Sequence, residues 1–317
     1  MSLITSRRGF IESAAAGLAA LSAPAVPRKA SAQPTPDGTR FRYALNTGTL
    51  RGYKLPLARQ IDLAAGAGYA GIEPWIADIA HAAENAGALK DLARRCSDAG
   101  LSVISAIGFA PWVVNDDVAR AQGLEQMKRE MDLVAQLGGT HIAASPAGMN
   151  KPEAGALDLD RAAERYRAVL ELGRTMGVRP QLEFWGASAN LSRLDQCLYV
   201  AARAAHPDAC ILADVFHLYK GGSDPAALRL LSRSAAYTLH MNDYSAQPPR
   251  ETAKDADRIW PGDGIAPLRE ILSAYRDNCA DLWLSIELFH ADYWKHPAEE
   301  TALTGLAKMK ASVAALA

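Results

Sequence analysis

Three hundred and seventeen residues, 49% of them apolar, suffice for a large buried core, either one barrel or two smaller domains. The formal net charge is -1, and Lys and Arg never run together for more than a couple of positions, which removes the electrostatic footprint expected of a protein that binds nucleic acid or an anionic membrane. A small-molecule partner is the expectation that is left.

The chain opens on a different kind of text from the rest: Ser6-Arg7-Arg8-Gly9-Phe10-Ile11, an apolar stretch from Ala14 to Val26, then Ala30-Ser31-Ala32 ahead of Gln33. Paired arginines, an apolar stretch too short to anchor in a bilayer and a small-residue cleavage site make this similar to a twin-arginine export signal. Cleavage is expected after Ala32, giving a periplasmic or secreted protein with no membrane attachment; a basic leader without an export role is the plainer alternative. Residues 33–40 read as a Pro-rich linker.

Short apolar runs then alternate with longer amphipathic segments to the end of the chain. The runs that read as strands are Phe41–Asn46, Gly71–Trp75, Val103–Gly108, His141–Ser145, Pro180–Phe184, Cys210–Val215, Tyr237–Met241 and Leu282–Leu288. Helical patterns cover Leu55–Ala67, Ala88–Ala99, Ala121–Leu137, Asp160–Met176, Leu191–Ala204, Pro225–Ser234, Pro267–Tyr275 and Pro297–Leu316, with Gly68, Gly100, Gly138 and Gly177 as helix stops. Eight such repeats predict a single-domain (β/α)8 TIM barrel over residues 41–317. The open doubly wound sheet is disfavoured because Asn46-Thr47-Gly48-Thr49, after the first strand, is not the G-x-G-x-x-G phosphate turn. Cys96, Cys197, Cys210 and Cys279 form no C-x-x-C pair and read as isolated thiols.

In a closed parallel barrel chemistry gathers at the C-terminal strand ends, so polar residues interrupting those ends carry the functional reading. They are Glu73 on strand two, Glu183 on five, Asp214 on six, His240 on seven and Glu287 on eight. Singly, each could cap a helix or be a satisfied core residue. Together, three carboxylates and an imidazole on four consecutive strands predict one divalent metal held by Glu183, Asp214, His240 and Glu287, with Mn2+ foremost and Co2+, Mg2+ or Zn2+ as alternatives. Glu73 sits too far round the barrel to be a ligand and is expected to hold a substrate hydroxyl or to position a ligand. Aromatic residues near the mouth suit the apolar face of a sugar ring, and Trp185 and Trp260 are the expected substrate contacts.

Leu182-Glu183-Phe184, Asp214-Val215-Phe216-His217, His240-Met241-Asn242-Asp243, the run from Asp255 to Gly264 and Ser285-Ile286-Glu287-Leu288-Phe289 give the chain a pattern that resembles the xylose-isomerase-like barrels. These include ketose 3-epimerases, inosose isomerase and hydroxypyruvate isomerase. The D-A-D-R-x-W-P-G-D-G insertion between strands seven and eight looks most like the inosose isomerase branch, and Ala246 and Ala189 stand near positions where ketose 3-epimerases place an arginine and a second acid. The resemblance implies that the four strand-end residues bind the metal and that Glu183 and Glu287 are the catalytic base and acid, moving a proton through a metal-stabilised enediolate. It further implies that His217 contacts substrate oxygens. Arg258 is a weaker candidate for substrate binding, with a surface ion pair to Asp257 or Asp263 as the alternative.

Three carboxylates and a dication would leave the site near -1, which favours a neutral sugar-like or cyclitol hydroxyketone over a phosphate ester. The reading is therefore a metal-dependent isomerase or epimerase. A dehydratase or keto-glycoside lyase running on the same enediolate is the enzymatic alternative, and a non-catalytic exported sugar binder is the other. A homo-oligomer is compatible with the sequence.

Overall fold

The computed structural model describes residues 33–34, 40–278 and 281–316. The leader, its cleavage point and Cys279 lie outside them. The parallel strands are β1 (Arg40–Asn46), β2 (Gly71–Glu73), β3 (Ser102–Val103), β4 (His141–Ala144), β5 (Arg179–Glu183), β6 (Ile211–Asp214), β7 (Ala236–Met241) and β8 (Asp281–Ile286). They are hydrogen-bonded in the order β3-β2-β1-β8-β7-β6-β5-β4, and a two-residue strand, Gln33–Pro34, pairs antiparallel with β1. Ala106 joins the two ends of that order: its N–H donates to His141 O at 3.1 Å and its carbonyl accepts from Ala143 N at 2.9 Å. The barrel is thus closed just beyond β3. Regular pairing along β2 stops at Glu73 because Pro74 has no N–H to give, although its carbonyl still accepts from Ile107 N at 3.0 Å.

Strand parity divides the side chains between two cores. Phe41, Tyr43 and Leu45 of β1 and Leu282, Leu284 and Ile286 of β8 belong to the large cluster beneath the helices, while Ala44, Ile104 and Trp283 form a separate one inside the barrel. The same parity turns Asn46, His240 and Glu287 inward at the C-terminal end. The helices around the outside are α1 (Leu57–Ala67), α2 (Ile76–Ala83), α3 (Ala88–Asp98), α4 (Asp117–Gln136), α5 (Leu159–Met176), α6 (Leu194–Ala204), α7 (Val215–Gly221), α8 (Leu268–Asn278) and α9 (Ala298–Ala314). Their buried stripes follow helical spacing, as at Leu268, Ile271, Leu272 and Tyr275 of α8. Asp116 and Asp158 cap α4 and α5 by accepting from Ala119 N and Arg161 N, and Gly68 and Gly177 end α1 and α5 in the left-handed conformation expected of them.

Three local expectations change. The helix read over Pro225–Ser234 is only a 3-10 turn, Pro225–Leu230, and the helical turn after β6 comes earlier, as α7. The strand read over Cys210–Val215 ends one residue earlier, at Asp214, which caps the buried run Val215 to Leu218 as the start of a helix by accepting from His217 N at 2.8 Å. The helix α2 is a further element that the chain-order reading lacks. Cys96, Cys197 and Cys210 are buried and unpaired. No helix among the described residues is long and apolar enough to cross a membrane.

Low in the barrel His141 stacks on Tyr237 at a centroid distance of 3.5 Å. Burial, then the charge of Arg179, push its imidazole down to about 3. The unfolded chain therefore takes up a proton near pH 6.5 that the folded chain refuses. This contribution to stability is complete above that pH and is lost as pH falls toward 3, reaching about 2 kcal/mol at pH 5. Urea unfolding at pH 7 and pH 5 is expected to show that loss in the natural protein and a correspondingly smaller loss in His141→Phe; equal losses would mean His141 is protonated in the fold.

Candidate metal centre

Four strand ends converge on one imidazole. His240 Nδ1 lies 3.3 Å from Glu287 Oε2, 3.7 Å from Asp214 Oδ2 and 4.0 Å from Glu183 Oε1. All four side chains are buried, and Nδ1 has no hydrogen-bond partner. The ring's other nitrogen, Nε2, bonds Glu73 Oε2 at 3.0 Å, which fixes that N–H and turns Nδ1 toward the three carboxylates. Asp214, His240 and Glu287 each offer a ligand atom within 4.8 Å of the others. One nitrogen and several carboxylate oxygens are a donor set that a divalent ion fits.

Electrostatics demand a positive charge at that point. Burial alone would lower the His240 pKa, but the charges of Glu287 and Glu73 outweigh it and hold the imidazole well above its usual range. Burial raises the Glu183 carboxyl to about 8, with Glu287 and Asp214 adding to the shift against His240. Burial would raise Glu287 as well, yet the charges of His240 and Arg258 bring it down to about 2. Binding of a divalent ion by these residues would release the protons on Glu183 and His240, so affinity is expected to rise with pH, the Glu183 share of that rise, roughly tenfold per unit, ending near 8. Calorimetric titration with Mn2+ in buffers of different ionisation enthalpy measures that release. A proton count of zero would contradict this charge balance.

A second set of side chains braces these ligands. Asn46 donates to both Glu73 Oε2 and Glu287 Oε1 at 3.1 Å, and its own oxygen accepts from Gly48 N and Trp75 Nε1. Ser285 Oγ donates to Glu73 Oε2 at 2.6 Å, and Asn242 Nδ2 to Asp214 Oδ2 at 3.0 Å. Arg258 is fully buried: Nη1 donates to Asp214 Oδ2 at 2.9 Å and Glu287 Oε2 at 2.8 Å, and Nη2 to Asp255 Oδ1 at 2.8 Å and His217 Nε2 at 3.2 Å. Since His217 Nε2 accepts, its proton sits on Nδ1, a buried donor with no protein partner. The segment that brings Arg258 here is folded around Asp243, whose carboxylate accepts from Tyr244 N, Gly262 N, Gly264 N and Ala266 N. At Gly264 any Cβ would lie 2.2 Å from Tyr244 O, which explains the glycine of that motif.

Above the four ligands opens a cavity of about 290 Å3. Its polar lining includes Glu183, Glu287, His217 and Asp255; Trp75, Phe109, Trp185 and Phe289 form an arc of rings on its wall, with neighbouring centroids 5.2 to 6.0 Å apart. A larger groove, about 750 Å3, runs between α1, α2 and α3, and none of the four strand-end residues lines it.

A family model described as xylose isomerase-like TIM barrel matches residues 61–312. The chain belongs to this family. Xylose isomerase-like relatives include an inosose isomerase of Halalkalibacterium halodurans, 29% identical over 135 residues, 42% of this chain and about half (48%) of that protein. An inosose isomerase of Bacillus velezensis is 25% identical over 190 residues, 60% of this chain and 68% of that protein. Among solved structures, IolI with a bound zinc atom superposes with a TM-score of 0.78 at 21% identity, covering 87% of this chain and 99% of that one. An L-ribulose 3-epimerase does so at 0.67 and 19%, covering 87% and 95%. At these identities the structural likenesses establish the shared barrel.

Within this family frame, the structure brings Glu183, Asp214, His240 and Glu287 together, with His217 and Trp185 on the cavity. Three sequence expectations are corrected. Glu73 does not face the cavity: it is fully buried beneath His240, and of its two expected roles only the positioning of a ligand is compatible with its place. Arg258 makes no surface pair with Asp257 or Asp263; those cap Lys254 N and pair with Lys308, and Arg258 turns inward to Asp255. Trp260 is also misplaced by the sequence reading, because it is buried against Tyr293 at a ring distance of 4.4 Å, away from the cavity lining. Asp255, Asn46 and Asn242 were missed. Strand parity could have found Asn46, and the H-M-N-D spacing places Asn242 two residues beyond His240, the repeat that returns to the same face.

The two tryptophans should separate cleanly. Trp185→Ala is expected to raise KM several-fold with little change in Tm, whereas Trp260→Ala is expected to cost about 3–5 kcal/mol of stability and leave KM alone. Thermal melts beside steady-state kinetics check both; a KM effect at Trp260 would put it back at the mouth.

Proposed function

We propose that this protein is a divalent-metal-dependent isomerase or epimerase acting on a neutral sugar-like or cyclitol hydroxyketone. The observation that carries the reading is His240 Nδ1, unpartnered and faced by Glu183, Asp214 and Glu287 while Glu73 fixes the opposite nitrogen. A divalent ion bound to these residues supplies Lewis acidity to a carbonyl and the hydroxyl beside it. The chain's own groups handle the proton. Glu183 lines the cavity at the end of β5, placed to accept and return a proton at the carbon next to the carbonyl. Glu287, held low and bonded to Asn46 and Arg258, is a poorer proton carrier and better suited to holding charge, so the base role passes chiefly to Glu183. His217 Nδ1 offers a proton to a substrate oxygen, and the aromatic arc excludes water and takes the apolar face of a ring.

The pairing of Arg258 with the ligands supports a neutral substrate, since the guanidinium is already committed to protein carboxylates. The inosose isomerase relatives support a cyclitol ketone. The twin-arginine leader supports an exported protein. Metal-loaded protein in D2O with inososes, ketohexoses and 3-keto-glucosides, followed by NMR of the α-CH signals, is the test. Deuterium entering at carbon together with an isomer product supports the reading. Expulsion of a leaving group instead would make the protein a lyase, and binding without exchange would make it a sugar binder.

A further inference from the structure

The oxygens that face His240 Nδ1 most closely, Glu287 Oε2 and Asp214 Oδ2, are the same two that accept from Arg258 Nη1. We propose that Arg258 holds down the affinity of the metal centre, so that its ion is bound more weakly and exchanges more readily than the four ligands alone would allow. The inference rests on the metal-dependent reading above.

Three features make the guanidinium a fixed charge. It is 1% exposed, Phe216 and Phe289 flank it with ring centroids at 5.1 Å, and Asp255 and His217 hold its outer nitrogen. Its segment is in turn tied by the four backbone N–H groups that converge on Asp243. A cation so placed acts on the ligands in two ways. Its hydrogen bonds draw electron density from the oxygens that a metal would share, and its charge repels a dication a few ångströms away in a site where water screens little. An uncharged brace such as Asn46 or Glu73's hydrogen-bonded partners would do the opposite: removing a neutral or anionic outer partner of a metal ligand commonly weakens binding. The sign of the effect therefore distinguishes a charge-tuning arginine from a merely structural one. Weaker donation by the ligands also leaves a bound ion more electrophilic, so activity and affinity should move in opposite directions.

The experiment is calorimetric titration of chelator-stripped protein with Mn2+ alone, on the natural protein, Arg258→Met, Arg258→Gln and Arg258→Lys, each checked for fold by circular dichroism. Both neutral variants are expected to bind Mn2+ about tenfold more tightly or better, while turning over more slowly, and Arg258→Lys to stay within about threefold of the natural affinity. Arg258→Gln still offers donors to the carboxylates and keeps the test open should Arg258→Met fail to fold. Unchanged or weaker Mn2+ binding in the neutral variants overturns the inference and leaves the metal centre standing. Absence of divalent binding in the natural protein would overturn the metal-dependent reading itself, and this inference with it.

Discussion

Replacing Glu183 by Gln is expected to stop carbon-bound deuterium exchange, lowering turnover by about 10²- to 10⁴-fold, with the fold intact. The side chain sits at the end of β5, reaches the cavity, and has its titration displaced toward neutrality, by burial first and then by the neighbouring Glu287 and Asp214 charges. An amide of the same shape can still lie against a metal through its oxygen but cannot carry a proton. The predicted pattern in D2O is therefore bound substrate, bound metal and no label at carbon. Glu287→Gln should differ. Its carboxylate accepts from Asn46 and Arg258 and holds charge for both, so its loss is expected to lower metal affinity as well as turnover. Measuring Mn2+ affinity and single-turnover exchange on the two variants separates the roles; retained exchange in Glu183→Gln would transfer the base function elsewhere.

The second large effect is expected at a residue that need touch neither metal nor substrate. Glu73 Oε2 collects His240 Nε2, Asn46 Nδ2 and Ser285 Oγ in one fully buried position. In Glu73→Gln the amide oxygen can still accept from these three donors, since Glu73 Oε1 has no partner for the amide nitrogen to displace, but the carboxylate charge that strengthens the bond to the imidazole N–H is gone. The ring is then held less firmly in the orientation that keeps Nδ1 free for a metal, and is a less basic ligand. Metal affinity is expected to fall about 10- to 100-fold, as for other outer partners of histidine ligands, while KM measured at saturating metal changes little. Competition of each protein against a chelator of known affinity reads this out. Unaltered affinity would show that the barrel packing alone orients His240.

Much of this was legible in the residues because a barrel strand is a parity device. Glu183, Asp214, His240 and Glu287 interrupt apolar runs at their C-terminal ends, and each such interruption is costly unless the group is used, so these four stood out as a candidate ligand set before any geometry was known, and the structure brings them together. The eight strands emerged for the same reason. What the sequence could not supply were partnerships made only by closing the barrel: Glu73 meets His240 across 167 residues, and Asn46 meets Glu287 across 241. Local rules also misassigned the strand-seven insertion, which has no periodicity to say which face of the chain turns inward. There Arg258 read as a weak substrate contact with a surface ion pair as the alternative, and Trp260 as a mouth aromatic; the turn gathered around Asp243 sends the arginine into the site, on the cavity lining, and the tryptophan against Tyr293. The helix α7 was hidden because its buried run Val215 to Leu218 lacks a polar face.

The most direct measurement is anomalous X-ray scattering at the manganese edge from crystals grown with Mn2+. One strong peak enclosed by Glu183, Asp214, His240 and Glu287, and lost in His240→Asn, is the expected result. No peak among these four side chains at saturating Mn2+, or a peak elsewhere on the barrel, would contradict the account.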